Sequence, residues 1–197
     1  MIEHEKANLR LRFAALRRAL PAAEKAARDA AIIARIRALP EYRAAAFVSV
    51  YAADRFEPEI LPLIGLDPEK KFMIPRYAEE IAAYEFALID DVSSLVPGRY
   101  GLREAAADCP VAPSEAVAEA ALYLVPGLAF DPAGVRLGRG GGFFDRLLAG
   151  VRSPVCGVFY AAQGAEQLPA LPHDRRTDLV VTEKNVFRMN ELERLKG

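Results

Sequence analysis

The sequence is poor in the residues that build metal centres, with two cysteines and two histidines in 197 residues. Cys109 and Cys156 lie far apart and match no metal-ligand or redox spacing. His4 and His173 cannot build a zinc site without other ligands. So few thiols fit a reducing cytosol. Charge of one sign is missing too: 26 basic and 27 acidic residues leave a net charge of −1. That argues against a nucleic-acid-binding domain, which is normally strongly basic, so any basic patch must be local. Long apolar runs are also absent. The longest, "AALYLVPGLAF" (120–130), is too short to span a bilayer and is broken by Pro126. The opening "MIEHEKANLRLR" lacks the apolar core of a signal peptide. The expectation is a cytoplasmic protein without nucleic-acid or membrane partners.

What is present reads as one α/β domain, residues 1–197. From about Glu3 to Leu20 the pattern is helical, with Leu9, Phe13, Leu16 and Leu20 as an apolar stripe. Lys6, Arg10 and Arg17 form a basic stripe roughly 70° away, bordering the face expected to be buried. On periodicity alone this is a solvated face whose aliphatic stems lie over apolar surface. A second helix is predicted from about Ala22 to Leu39, stopped by Pro40. Then come short apolar or alternating runs: "AFVSVY" (46–51), "KFMIP" (71–75), "YEFALI" (84–89), "ALYLV" (121–125), "PVCGVFY" (154–160) and "DLVVT" (178–182). Helical candidates "EILPLIGL" (59–66), "PSEAVAEA" (113–120) and "GFFDRLLAG" (142–150) lie between them. Strands alternating with helices predict a layered α/β fold with a largely parallel sheet. The stretch 97–113 is the least regular.

The segment "GVRLGRGGGFFDR" (134–146) holds five glycines and three arginines between the strand "ALYLVP" and a short helix. A strand, a glycine-rich loop and a helix N-terminus together favour anions, because unpaired N–H groups and the helix dipole face the ligand. Gly138, Gly140, Gly141 and Gly142 permit close backbone approach, and Arg136 and Arg139 supply forked donors suited to phosphate. The familiar phosphate-loop patterns nevertheless fail, since there is no GxxxxGK[ST] and Phe143 interrupts GxGxxG. On physics alone Asp145 is open between two roles: an Mg²⁺ ligand beside phosphate, or a carboxylate at a helix start.

The longer segment "LVPGLAFDPAGVRLGRGGGFFDRLL" (124–148) resembles the signature of the 5-formyltetrahydrofolate cyclo-ligases, also called methenyltetrahydrofolate synthetases. Lys6, Arg10, "FMIPRY" (72–77), Gln163 and "LPALPHDRRTDLVVTE" (168–183) match the family pattern in order. The resemblance implies a three-layer α/β/α sandwich with a mostly parallel, mixed central sheet, acting as a monomer. It also implies cyclisation of 5-formyltetrahydrofolate to 5,10-methenyltetrahydrofolate with ATP and Mg²⁺, through a phosphorylated formyl intermediate. Lys6 and Arg10 would reach the nucleotide, and Arg136, Leu137, Gly138, Arg139, Gly140, Gly141, Gly142, Phe143 and Phe144 would line it. Val50, Arg55 and Glu57, with the stretch from Arg139 to Phe143, would face the folate. Asp145 and Asp178 match the Mg²⁺-binding aspartates, and Arg139 is the residue expected to stabilise charge on the transferred phosphoryl group. His173, beside Asp174, is either an acid–base group or part of a turn.

Three departures stand out. "YAADRFEPEIL" (51–61) places Arg55 where the family carries a folate-facing glutamate, with Asp54 or Glu57 left to compensate. Phe143 and Phe144 stand where tyrosines are common, and Ala105 ends a stretch where the family often has an E-P pair. Two further readings share these residues: a paralogue using ATP and Mg²⁺ on another formyl or amide-like compound, and a non-catalytic nucleotide sensor. Retention of both aspartates argues against the sensor.

Overall fold

The computed structural model describes residues 2–114, 117 and 121–189. Its centre is a seven-stranded sheet. In chain order its strands are β1 (Phe47–Ser49), β2 (Lys71–Ala78), β3 (Ala83–Ile89), β6 (Ala121–Val125), β9 (Val155–Val158), β10 (Leu179–Val181) and β11 (Val186–Arg188). The spatial order is β11-β10-β9-β6-β1-β2-β3, parallel through the five inner strands and antiparallel at both edges. Two ribbons accompany it: β4 (Leu95–Pro97) with β5 (Arg103–Ala105), and β7 (Ala129–Phe130) with β8 (Arg136–Leu137).

Every residue of β6, β9 and β10 is buried, as inner parallel strands require when helices cover both faces. Period-2 alternation divides β6 between two cores. Leu122 and Leu124 join Val48, Val158 and Val181 under α2 (Ala22–Ala38), which contributes Ile32 and Ile36. Tyr123 and Val125 join Met73, Phe86 and Val155 on the opposite face, against Leu147 and Leu148 at the end of the helix Phe143–Leu147. The result is three layers. The other helices are α1 (Ile2–Arg18), α3 (Pro40–Ala44) and α4 (Pro62–Leu66), so the Phe143–Leu147 helix is α5.

Several expectations shift. The helix predicted over 59–66 shrinks to α4, because Pro62 takes the first helical position and has no N–H to extend the helix backwards. The stretch 97–113, expected to be irregular, holds β5 and the last residue of β4. Strand β11 falls where no alternating pattern announced it. Most of the helix expected over 113–120 lies outside the described residues.

Candidate active site

Strand β1 lies between β6 and β2. After β1 the chain continues to β2 on one side, whereas after β6 it continues to β9 on the other. Loops leaving the carboxyl ends of two such strands part from each other, and the crevice between them is where open α/β sheets bind ligands. Here the loops are Val50–Leu61 after β1 and Pro126–Gly142 after β6.

The first of these loops closes on itself through two acids. Asp54 Oδ1 accepts the N–H groups of Phe56 (2.7 Å) and Glu57 (2.9 Å), and Glu57 Oε2 accepts the N–H of Asp54 (3.0 Å). Tyr51 adds a pin, donating its hydroxyl to the Pro58 carbonyl (2.9 Å), while the Tyr160 hydroxyl donates to Asp29 Oδ1 (2.7 Å) and lies 3.4 Å from the Glu57 carbonyl. The other oxygen of each acid is shared by two guanidinium groups. Arg17 reaches Asp54 Oδ2 at 3.0 Å and Glu57 Oε1 at 3.2 Å. Arg139, from the opposite loop, meets the same two oxygens, Glu57 at 2.8 Å. Partial burial pulls the Arg139 pKa down, but Glu57 and Asp54 outweigh it and raise the value overall. Arg139 therefore stays charged.

The loop after β6 starts from a rigid base. Asp131 is buried and accepts the N–H groups of Ala133, Val135 and Leu168, each at 2.9 Å, which fixes the β7–β8 turn. Beyond β8 the chain is freer. Gly140 has φ +101, a conformation that other residues rarely adopt, and a Cβ there would stand 3.2 Å from Arg10 Cζ, so Arg10 would have to give by a few tenths of an ångström. Arg10 Nε donates to the Gly138 carbonyl at 3.2 Å. Gly142 (φ +60) precedes α5, whereas Gly138 and Gly141 do not have positive φ. Because α5 is only five residues long, its dipole is small, and the positive charge of the loop comes from arginines.

Helix α1 overturns the face assignment made from periodicity. Its buried residues are Lys6, Phe13 and Arg17, so most of the basic stripe points inward and Leu11 is left exposed. Each cation has a partner that repays its desolvation. Lys6 Nζ lies 2.5 Å from Asp174 Oδ2. Burial pushes the Asp174 pKa up, but the Leu171 N–H and the Lys6 ammonium together hold it below the usual aspartate value.

The two aspartates expected at the metal both meet Arg175. Asp145 Oδ1 accepts the Arg175 backbone N–H (3.1 Å) and the buried guanidinium of Arg136 (2.9 Å). Asp178 Oδ2 accepts the Val155 N–H (2.9 Å) and Arg175 Nη2 (3.5 Å). Among the described residues no three His, Cys, Asp or Glu side chains form a metal cluster. Arg136 Nε and Arg175 Nε are buried with no partner among the described residues, as are Arg17 Nε on the acidic side and Ser49 Oγ. Burial pulls the Arg136 pKa down, opposed by Asp145.

The model of the 5-formyltetrahydrofolate cyclo-ligase family matches residues 2–183. The chain belongs to this family. The 5,10-methenyltetrahydrofolate synthetase of Aquifex aeolicus, solved by NMR, superposes with a TM-score of 0.82 at 31% identity, covering 93% of this chain and 92% of that one. The Mycolicibacterium smegmatis cyclo-ligase is 42% identical over 46% of this chain. The mitochondrial cyclo-ligase of Arabidopsis thaliana is 31% identical over 65% of it. The chain spans about half the length of these two curated relatives, 47% and 52%.

Set on this cyclo-ligase fold, the residues singled out in the sequence do not all face the crevice. Arg139, Glu57 and Asp54 meet across it, and Arg10 lies on the glycine loop. Arg55 lies outside this set: it is exposed, with its guanidinium 4.3 Å from the Phe56 ring centroid. The side chains of Val50 and Leu137 are buried in the core, so their role reduces to carrying the backbone into the loops. Phe143 stacks edge-on against Tyr84 of β3 (4.2 Å) and Phe144 (4.8 Å), tying the loop to the sheet. His173 is exposed, 4.0 Å from Asp174. Gln163 is fully buried and spends its amide on Tyr160 N–H and the carbonyls of Gly127 and Leu128; it holds the loop bases. Arg17 and Arg175 were missed as site residues. Arg17 had a signal, its place in the stripe, whereas Arg175 had none.

Proposed function

We propose that the chain is a cytoplasmic, monomeric, single-domain enzyme. It cyclises 5-formyltetrahydrofolate to 5,10-methenyltetrahydrofolate with ATP and Mg²⁺, releasing ADP and phosphate. The observation that carries this reading is the meeting of Arg139, from the glycine loop, with Asp54 and Glu57 at the switch point of a cyclo-ligase fold. The crevice thus has a cationic wall suited to phosphates facing an anionic wall suited to a ring bearing N–H donors.

Two features support ATP on the cationic side. The orphaned Nε atoms of Arg136 and Arg175 are donors waiting for acceptors, and a buried donor without one costs about 1–3 kcal/mol. Lys6, Arg10, Arg136 and Arg139 carry the charge, with the backbone from Gly138 to Phe144 as the lining. The acidic side belongs to Glu57 and Asp54, not Arg55, which removes the main reason for assigning a different acceptor.

The donor set suits Mg²⁺, which binds through one or two carboxylates and completes its shell with water and substrate phosphates. Asp145 and Asp178 would hold it. When bound, it supplies charge neutralisation on the phosphates. The chemistry then asks for position more than covalent help. The formyl oxygen attacks the γ-phosphorus and ADP leaves. N10 adds to the activated carbon and loses its proton, and phosphate departs with the former formyl oxygen as the ring closes. Arg139 offsets the charge on the transferred group.

The test mixes purified protein with 5-formyltetrahydrofolate, ATP and Mg²⁺ and follows methenyl product by absorbance. Product that requires all three supports the reading. Bound ATP without product overturns it and favours another formyl compound as acceptor.

A further inference from the structure

Along α1, Lys6 and Arg10 serve the nucleotide side, but Arg17 lies 11 residues beyond Lys6, about 16 Å along the axis. It does not touch the glycine loop through any hydrogen bond among the described residues. Its side chain is 5% exposed, as is that of Glu57. Each guanidinium Nη takes a different acid, Nη2 on Asp54 and Nη1 on Glu57. Arg17 therefore sets the spacing of the two carboxylates as well as neutralising them.

Arg139 bonds the same two oxygens but is 48% exposed. It projects from a loop tip whose glycines allow movement. The two arginines are thus unequal partners of one acidic pair. With both present the four groups sum to zero charge. If Arg139 turns toward a phosphoryl group, two desolvated carboxylates keep a single cation. Their outward lone pairs are then free to accept N–H donors from a ligand. Without Arg17 the same movement would leave a buried carboxylate uncompensated, which is strongly unfavourable.

We infer that Arg17 is the positioning residue of the folate seat. It is the fixed counter-ion of Asp54 and Glu57, and Arg139 is the exchangeable one whose place the N–H donors of the folate ring take. The inference rests on the folate reading above. It also makes the two substrates cooperate: a folate in the seat releases Arg139 for the nucleotide.

The test is steady-state kinetics of wild type, Arg17→Met and Arg17→Lys, with KM measured separately for each substrate and thermal melts alongside. Arg17→Met raises KM for 5-formyltetrahydrofolate about 100-fold, whereas KM for ATP, taken at saturating folate so that the ring's N–H donors have already displaced Arg139, changes less than about twofold. Arg17→Lys, which keeps the charge but loses the fork, falls between. If Arg17→Met does not fold, Arg17→Lys decides, with a rise of about 10-fold in the folate KM alone. Both KM values moving together, or neither moving, overturns the inference while leaving the proposed function standing. A wild type that makes no methenyl product overturns both.

Discussion

The two loops that face each other at the switch point are built on opposite principles. The loop after β1 contains no glycine between Val50 and Leu61. It is locked by reciprocal Asp54–Glu57 hydrogen bonds and by the Tyr51 hydroxyl on the Pro58 carbonyl. The loop after β6 is fixed at its base by Asp131 and Gln163 and tied at its far end by Phe143, but its tip is exposed from Arg139 to Gly141. One loop is a fixed seat and the other an adaptable arm. In the reaction proposed above, this division would hold one reactant still while the charge-neutralising group follows the other.

The largest effect should come from the arm. Arg139→Ala is expected to lower kcat about 1,000-fold with little change in melting temperature, because the side chain is half exposed and Arg17 still compensates the acids. A large loss of stability instead would mean that Arg139 belongs to the fixed framework. Asp145→Asn comes next. It should reduce Mg²⁺-dependent turnover on the order of 100-fold. It should also destabilise the protein by about 3 kcal/mol, since the buried Arg136 loses its counter-charge. Calorimetry and activity together check this, and full stability would show that the pair is dispensable.

Acid should loosen the hold on α1. The Asp174 pKa is lower in the folded protein than in the unfolded chain, so the Lys6–Asp174 pair contributes its full stability above the ordinary aspartate value of 3.8. That contribution fades as pH falls through the lower folded value. In Lys6→Met, stability measured from neutral pH downward should show a smaller acid step; an unchanged step would remove the pair from the account. The smallest effect is expected at Arg55. Arg55→Glu should alter kcat/KM for the folate less than about twofold and stability by under about 0.5 kcal/mol. A marked gain in folate turnover would return Arg55 to the seat.

The same contrast governs how far the site could be read from sequence. The arm was legible because its function rests on backbone freedom and local charge, which glycines and arginines announce in one continuous stretch. The seat was not. Aligning the loop by residue type put a guanidinium at the folate, whereas the fold stacks Arg55 on Phe56 and turns Glu57 inward. Burial of Lys6 and Arg17 was hidden for a related reason. Periodicity ranks faces by hydrophobicity, and it cannot show that Asp174, Asp54 and Glu57, distant in sequence, will neutralise a basic face. The largely parallel sheet was readable because β6, β9 and β10 are continuous apolar runs, and the three layers followed from the family resemblance. The β11 edge was not, because three half-exposed residues carry little pattern.

The central claim is that the crevice transfers a phosphoryl group to the formyl oxygen before ring closure. It is tested most directly by a single turnover with 5-formyltetrahydrofolate labelled with ¹⁸O in the formyl group. The account predicts that the label appears in the released inorganic phosphate. Label recovered in water, with unlabelled phosphate, would contradict it.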